Sequence, residues 1–369
     1  MKKIAIIGAS YLQVPLVIKA KEMGVETHCF AWKDGAVCED IADFFYPISI
    51  LNKEDILKKC LEIKIDGITT IATDLATPTI SYVAEYMNLI ANSYQTAINS
   101  TNKWQMRNVF KTHNCSIPDF FIVDKLSSIN VDQLSFPLIV KPIDSSGSRG
   151  VSKVSNIKEF NKAVKYAINE SISQKAIIEE YIDGCEVSVE SISWYGKHTI
   201  IAITDKITTG PPHFVELEHH QPSKLGPLIQ EKIKIETLNA LNALNVQYGA
   251  SHTEIKISSN NTPYLIEVGA RMGGDFIGSH LTSLSTGYDY LKGVIEVALN
   301  TFTQPLLESN NFAGIYFLSK DSERILPFFN DDNMFWVEKK MISPIKSRVK
   351  NSNERSGYLI YQNNSKIII

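Results

Sequence analysis

Short apolar runs and amphipathic stretches alternate over the first hundred residues. The run at 3–7 is apolar and ends at Gly8, which predicts a buried strand. An apolar stripe with helical spacing then covers 12–23. A strand pattern at 25–30, a helix at 53–63, a strand at 67–71 and a helix at 77–87 continue the series. This βαβα rhythm predicts a parallel sheet with helices on both faces. A dinucleotide site would follow the first strand with G-x-G-x-x-G. Only Gly8 is present, with Ser10 and Gln13 where the later glycines would stand. The unit therefore reads as Rossmann-like in shape without a nucleotide of its own. Asp74, beside Thr73 and Thr77 at a strand end, reads as a cap of the next helix, with a substrate contact as the other reading.

From residue 99 the pattern changes. Asn99-Ser100-Thr101-Asn102 opens a helix over 103–113, with Lys103 in its first turn and Arg107 one turn later. Cations near a helix N-terminus are unfavourable unless an anion sits beside them; an exposed lysine is the plain alternative. A strand over 136–142 ends in Lys141-Pro142 and runs into Ser145, Ser146, Gly147, Ser148, Arg149 and Gly150. Small residues let successive backbone N–H groups converge on phosphate oxygens, and Lys141 adds a fixed positive charge. The loop is not a Walker A loop, and a flexible hairpin turn is the competing reading. After a helix over 157–169 comes an apolar strand ending at Glu179 and Glu180, then Tyr181 and Ile182, a turn at Asp183-Gly184, and a second strand through Glu186. An apolar strand giving way to a short connector suits an adenine slot. Backbone groups at Glu180, Tyr181 and Ile182 would read the base, and Glu186 would take ribose hydroxyls.

Strands continue over 191–205 around the turn at Trp194–Lys197. Residues 206–224 are polar and predict a long loop, of the length used for lids and substrate loops. Within it His219 and His220 lack metal-ligand spacing, and read as a substrate contact, a general base or surface histidines. Helices over 228–244 and 288–300 and a β-rich end follow. The hairpin over 252–268 carries the most chemistry. Strict alternation places His252, Glu254 and Lys256 on one face and Thr253, Ile255 and Ile257 on the other; Glu267 faces away from Tyr264, Ile266 and Val268. Glu254 and Glu267 are thus carried inward on neighbouring strands, an arrangement that suits Mg²⁺ with phosphate oxygens. Arg271 follows four residues later and can stabilise an anion beside that metal, and Gly273-Gly274 lets backbone approach a ligand. Two glutamates and an arginine alone fit an ordinary charged hairpin equally well.

Composition narrows the classes. A net charge of −3 over 369 residues gives no basic surface for nucleic acid. Five scattered cysteines, without C-x-x-C, read as free thiols of a reducing cytosol. No apolar run is long enough for a membrane span, and the N-terminus lacks the form of a signal peptide. A cytoplasmic location is expected.

In order, the pieces are Lys103, Lys141 with its Ser/Gly loop, Glu179 to Glu186, the carboxylates Glu254 and Glu267, and the run Glu267 to Gly274. This set resembles the ATP-grasp superfamily, and within it the carboxylate–amine ligase branch that includes the L-amino acid ligases. The resemblance implies a mixed α/β fold. A Rossmann-like pre-domain (1–100) is followed by a central lobe (101–184) and a C-terminal lobe with the metal site (185–309), which clamp ATP, and by a β-rich extension (310–369). It implies that Lys103 and Lys141 hold ATP phosphates, that Ser145, Ser146, Gly147, Ser148 and Gly150 fold over them, and that Glu179, Glu180, Tyr181 and Ile182 form the adenine hinge. It further implies Glu186 as ribose ligand, Glu254 and Glu267 as ligands of Mg²⁺ or Mn²⁺, and Arg271, with Lys141, as catalytic groups. Glu216, His219, Arg271, Gly273 and Gly274 fall on substrate positions. The implied activity joins a small carboxylate to an amine, with an amino acid as one substrate, through an acyl phosphate; a homodimer is a further implication. One position departs: where many members have Glu-x-Asn-x-Arg, this chain has Gly269 in place of the Asn, which puts the second metal's coordination in doubt. A purine-pathway-like or carboxylase-type enzyme of the same fold, and an ATP-binding protein without turnover, are the rival readings. An NAD-dependent oxidoreductase fails at the missing glycines.

Overall fold

The computed structural model describes residues 1–124, 134–145, 147, 149–345 and 348–369. Strands β1 (Lys3–Ile7), β2 (Glu26–Phe30), β3 (Phe44–Tyr46) and β4 (Gly67–Thr69) form a parallel sheet in the order β3-β2-β1-β4. Helix α1 (Val14–Glu22) joins β1 to β2, α2 (Lys53–Ile63) joins β3 to β4 and α3 (Thr77–Met87) follows β4, as the apolar periodicity predicts. The strand β3 escaped that reading because it is only three residues long. Beyond β4 the chain reaches out of its sheet. Ile71 makes an isolated parallel bridge to Met272, and the Ala72 amide donates to the Met272 carbonyl at 3.1 Å.

Two helices follow, α4 (Tyr94–Thr101) and α5 (Lys103–Thr112). Asn102 separates them. Its extended backbone stops α4, and its side chain accepts from the Gln105 amide to cap α5. A second sheet is antiparallel, in the order β5-β8-β6-β7, from β5 (Phe120–Val123), β6 (Leu138–Pro142), β7 (Ser152–Val154) and β8 (Ala176–Glu180). Helix α6 (Ile157–Glu170) covers it, and Phe160, Ala163, Val164 and Ala167 bury its apolar face against Val140 and Ile178.

The third sheet runs β13-β12-β9-β10-β11-β14-β16-β15. Its strands are β9 (Gly184–Trp194), β10 (Lys197–Thr208), β11 (Glu216–Gln221), β12 (Gly249–Ser258), β13 (Pro263–Gly269), β14 (Phe312–Leu318), β15 (Trp336–Met341) and β16 (Gly357–Asn363). Helix α7 (Pro227–Ala243) packs Ile233, Ala240 and Leu241 against Val187, Ile255 and Leu265 of the sheet and against Met106 and Phe110 of α5. After the short α8 (Thr282–Thr286), helix α9 (Tyr290–Ala298) joins the first and third sheets in one core, where Tyr290 and Ile295 meet Ile4, Ile6 and Ile68. Among the described residues no helix is long and apolar enough to cross a membrane.

The predicted loop over 206–224 holds the end of one strand and the whole of another. Strand β10 extends through Thr208 and β11 begins at Glu216, with Lys206 opposite His219. The residues there are charged yet buried, because they pair with one another. His220 lies between the Glu218 carboxylate at 2.9 Å and the Tyr361 hydroxyl at 3.0 Å, and the Ser223 hydroxyl donates to Asp205 at 2.6 Å. Hydropathy alone cannot distinguish such a strand from a solvated loop.

Candidate active site

The hairpin β12–β13 sets the site. Glu254 and Glu267 stand directly opposite each other in the register, and immediately beyond them a β-bulge inserts one residue, so that Ile255 pairs with Leu265. The bulge breaks the strict alternation read from the sequence. Leu265 and Val268 point into the core, while Ile266 and Glu267 both line the cleft. The Ile266 carbonyl, turned out of the ladder, accepts from the Arg107 guanidinium at 2.7 Å.

The cations of α5 meet the anions that their helix position called for. Lys103 donates to Glu267 Oε1 and to the Ser145 carbonyl, both at 3.0 Å. Burial works to lower its pKa, but Glu267, Asp74 and Glu254 outweigh burial and raise it. Arg107 Nε lies 2.8 Å from Glu179 Oε1, and Lys141 Nζ lies 2.8 Å from Glu179 Oε2. Glu179 is therefore a buried carboxylate held between two cations. Burial would raise its pKa, yet Arg107 and Lys141 pull it down. Lys141 itself is shifted down by burial, against the attraction of Glu179.

Three further side chains escaped the sequence reading. Lys206, on β10, is almost fully buried and reaches Glu254 Oε1 at 2.6 Å, Glu186 at 2.9 Å and Glu216 at 3.8 Å. It thus ties the candidate ribose, metal and substrate carboxylates to one ammonium, and its pKa lies well above the ordinary value. Glu190 and His252 form the second element. His252 Nδ1 is 2.5 Å from Glu190 Oε1, and its Nε2 is 3.5 Å from Glu254. Although burial disfavours the charge, Glu190 lifts the imidazole to about 9. The only signal for these groups was a lysine and a glutamate at inward positions of strands, which is visible once the strands are known.

The cleft between the second and third sheets encloses a volume of about 200 Å³. Its walls bring together Lys103, Lys141, Glu186, Glu254, Glu267 and Arg271. A second, polar pocket opens past Arg271 and Glu254, lined by Tyr11, Glu216, His219, Gly274, Asp275 and Arg355. Arg355 makes two bonds to Asp275, at 2.8 and 2.7 Å, and lies 3.7 Å from the Phe317 ring centre. As donors for a metal, Glu254 and Glu267 are two hard oxygen ligands with the cations Lys206 and Lys103 beside them. Among the described residues no cluster of three or more acidic, histidine or cysteine side chains forms a metal cage. This set fits a Mg²⁺-type ion that completes its shell with phosphate oxygens and water.

An ATP-grasp domain model matches residues 134–279. That segment is similar to the ATP-grasp domain family and covers less than half of the chain. The alanine–anticapsin ligase of Bacillus subtilis (strain 168) is 29% identical over 303 residues, which cover 72% of this chain and 64% of that ligase. The chain thus spans less than two thirds of that relative's length. The crystal structure of the L-amino acid ligase from Bacillus licheniformis superposes with a TM-score of 0.82 at 23% identity, covering 99% of this chain and 94% of the other. N5-carboxyaminoimidazole synthetase from Staphylococcus aureus complexed with ADP gives a TM-score of 0.81 at 18% identity and the same coverage.

Within this ATP-grasp fold the predicted residues fall in several places. Gly147 lines the cleft, but the Ser145 hydroxyl donates to the Glu170 carbonyl at 2.6 Å, and Gly150 is packed where a Cβ would lie 2.6 Å from Pro142. Ser146 and Ser148 lie outside the described residues. In the hinge, the Glu180 and Tyr181 amides donate to the Asp119 and Pro137 carbonyls, while the Ile182 amide has no protein partner among the described residues. The exposed Glu180 side chain faces solvent, and Lys153 lies 3.6 Å over the Tyr181 ring centre. Gly273 sits behind the site, where its amide donates to Glu190 at 3.0 Å and a Cβ would collide with that carboxylate. Asp74 does not cap helix α3, which has no side-chain cap; its carboxylate is bound to Arg271.

His219 yields a pH prediction. The ring is fully buried and neither nitrogen has a hydrogen-bond partner among the described residues; the nearest carboxylate, Asp275, is 4.0 Å from Nε2. Burial lowers its pKa to about 4, whereas an unfolded histidine titrates near ~6.5. Between these values the unfolded chain binds more protons, so stability is complete above ~6.5 and is lost as pH falls toward 4. The urea midpoint is expected to drop between pH 7 and pH 5, and His219→Gln is expected to lessen that drop. An identical pH dependence in the variant would contradict this.

Proposed function

We propose that the chain is an ATP-dependent ligase that joins a carboxylate to an amine, with an amino acid as one substrate. The reading rests on one juxtaposition: a cleft lined by phosphate-binding cations and two carboxylates opens at Arg271 into a separate polar pocket. A carboxylate is a poor acylating agent, because its leaving group would be oxide. Accepting the γ-phosphoryl group of ATP makes an acyl phosphate, with phosphate as the leaving group. Charge spreads over the phosphoryl oxygens during transfer, so the site requires cations rather than a covalent nucleophile. Lys103 and Lys141 provide that charge at the nucleotide end and Arg271 at the acyl end. Glu254 and Glu267 would hold Mg²⁺ or Mn²⁺, which when bound neutralises phosphate charge. The Ile182 amide would read the adenine edge, and Glu186 would take the ribose hydroxyls. Glu216 and His219 line the pocket in which the amine and carboxylate would meet. Burial raises the Glu216 pKa against the pull of Lys206.

The test is ADP release by the purified protein with Mg²⁺-ATP and amino acids offered singly and in pairs. One pair is expected to stimulate release and to yield an amide of the summed mass less water. Nucleotide binding without stimulated turnover across the panel would favour the binding-only reading.

A further inference from the structure

One residue from the first sheet reaches the acyl end of the site. Asp74 follows β4 at the point where the chain leaves its own sheet to bridge Met272. Its carboxylate receives two parallel bonds from one edge of the Arg271 guanidinium, Nε to Oδ1 at 2.9 Å and Nη2 to Oδ2 at 2.7 Å. A third bond, from Arg271 Nη1 to the Met272 carbonyl at 3.2 Å, holds the far edge. The guanidinium is thus fixed in plane and direction, which a single contact to a flexible partner would not achieve. The approach to this pair is strained: Ala72 has φ +61°, a conformation uncommon for a residue with a Cβ.

Gly269 shows how closely the pair is enclosed. Its φ lies outside the left-handed region, so its backbone does not require glycine. Space does: a Cβ there would lie 2.5 Å from Asp74 Oδ1 and 3.1 Å from Arg271 Cζ and Nε. The last residue of β13 therefore has to lack a side chain for the carboxylate from the first sheet to reach the arginine. Gly269 and Asp74 are far apart in sequence, and their compatibility is a property of the assembled site.

We propose that Asp74 is a positioning residue for the ligation, locking the Arg271 guanidinium toward the acyl end, and that Gly269 is retained to admit the Asp74 carboxylate. This rests on the ligase reading given above. Asp74 acts through Arg271 and need not touch the substrate.

The test is a double-mutant cycle of Asp74→Ala and Gly269→Ala, read in two ways. In thermal unfolding, Gly269→Ala alone is expected to lower the midpoint, because the methyl group displaces the carboxylate. In the Asp74→Ala background the same change is expected to have little further effect, since the obstructed atom is gone. In steady-state kinetics each single variant is expected to lower kcat about a hundredfold, the order found when a reacting geometry is misplaced by about 1 Å. The Kd for Mg²⁺-ATP is expected to stay near that of the parent. A merely structural role would reduce the amount of folded enzyme but leave kcat per folded site unchanged. Additive unfolding effects, or parental kcat in Asp74→Ala, would overturn the proposal. A parent chain without turnover would instead overturn the ligase reading and the kinetic part of the proposal, while the unfolding cycle would still decide whether Gly269 is kept for Asp74.

Discussion

For the ligase activity proposed above, Arg271→Ala is expected to lower amide formation by about 10²–10³-fold, the scale of removing one group that stabilises charge developing in a transition state. The affinity for Mg²⁺-ATP is expected to change little. The reason is position. Lys103 and Lys141 stand at the nucleotide end, on α5 and β6, and neither depends on Arg271 for its partner. Arg271 stands where the cleft meets the second pocket, and its partner is Asp74. Burial opposes its charge, but Asp74 raises its pKa, so it is a permanent cation. Alanine at this position also leaves Asp74 without its cation, so the variant is expected to be less stable. Retained nucleotide binding is therefore the control for folding. ADP release and product mass, measured at saturating substrates, check the expectation; parental rates in a variant that binds ATP would remove Arg271 from the mechanism.

Glu179→Gln is expected to destabilise the protein by about 3–5 kcal/mol, the range for breaking a buried ion pair from one side. Glu179 is 2% exposed, and its two oxygens face Arg107 and Lys141 at 2.8 Å each. Glutamine keeps the shape but removes the charge and turns a donor toward one of the two cations. Two buried positive groups then face each other across a neutral side chain. The loss would appear in urea unfolding as a lower midpoint with an unchanged slope. Nucleotide binding would weaken as well, because Lys141 is oriented by this carboxylate. A loss below about 1 kcal/mol would mean that water replaces the carboxylate, as at an exposed pair.

The same residues show what a sequence can and cannot disclose. The hairpin of β12 and β13 was legible because strand periodicity places Glu254 and Glu267 inward, and cross-strand register needs only the turn between them. Ile266 was not, because a bulge is one extra residue whose effect depends on the partner strand. The first sheet was legible from its apolar runs. Strand β11 was not, since Glu218, His219, His220 and Gln221 are polar but buried, each accommodated by a neighbour from a distant segment or by close packing. Lys206 and Asp74 share that difficulty. A lysine in a polar stretch and an aspartate at a strand end are ordinary until folding brings Glu186, Glu216 and Glu254 to the first and Arg271 to the second. Glu179 read as part of a hinge from its place in the chain, and its side chain instead organises two cations. Short-range pattern thus discloses the carriers of the site, and long-range pairing decides which side chains they present.

The eight-stranded sheet has a consequence for modularity. Strand β11, with Glu216 and His219, is paired on one side by β10 and on the other by β14. The same C-terminal segment supplies Asn351, Ser352, Asn353 and Arg355 to the second pocket. A chain cut before β14 would leave β11 with an open edge, a template for association with other copies, and would lose these four lining residues of the pocket at the same cut. The C-terminal strands are therefore not a separable appendage: they close the edge of β11 and wall the second pocket with the same segment, so one cut would damage both.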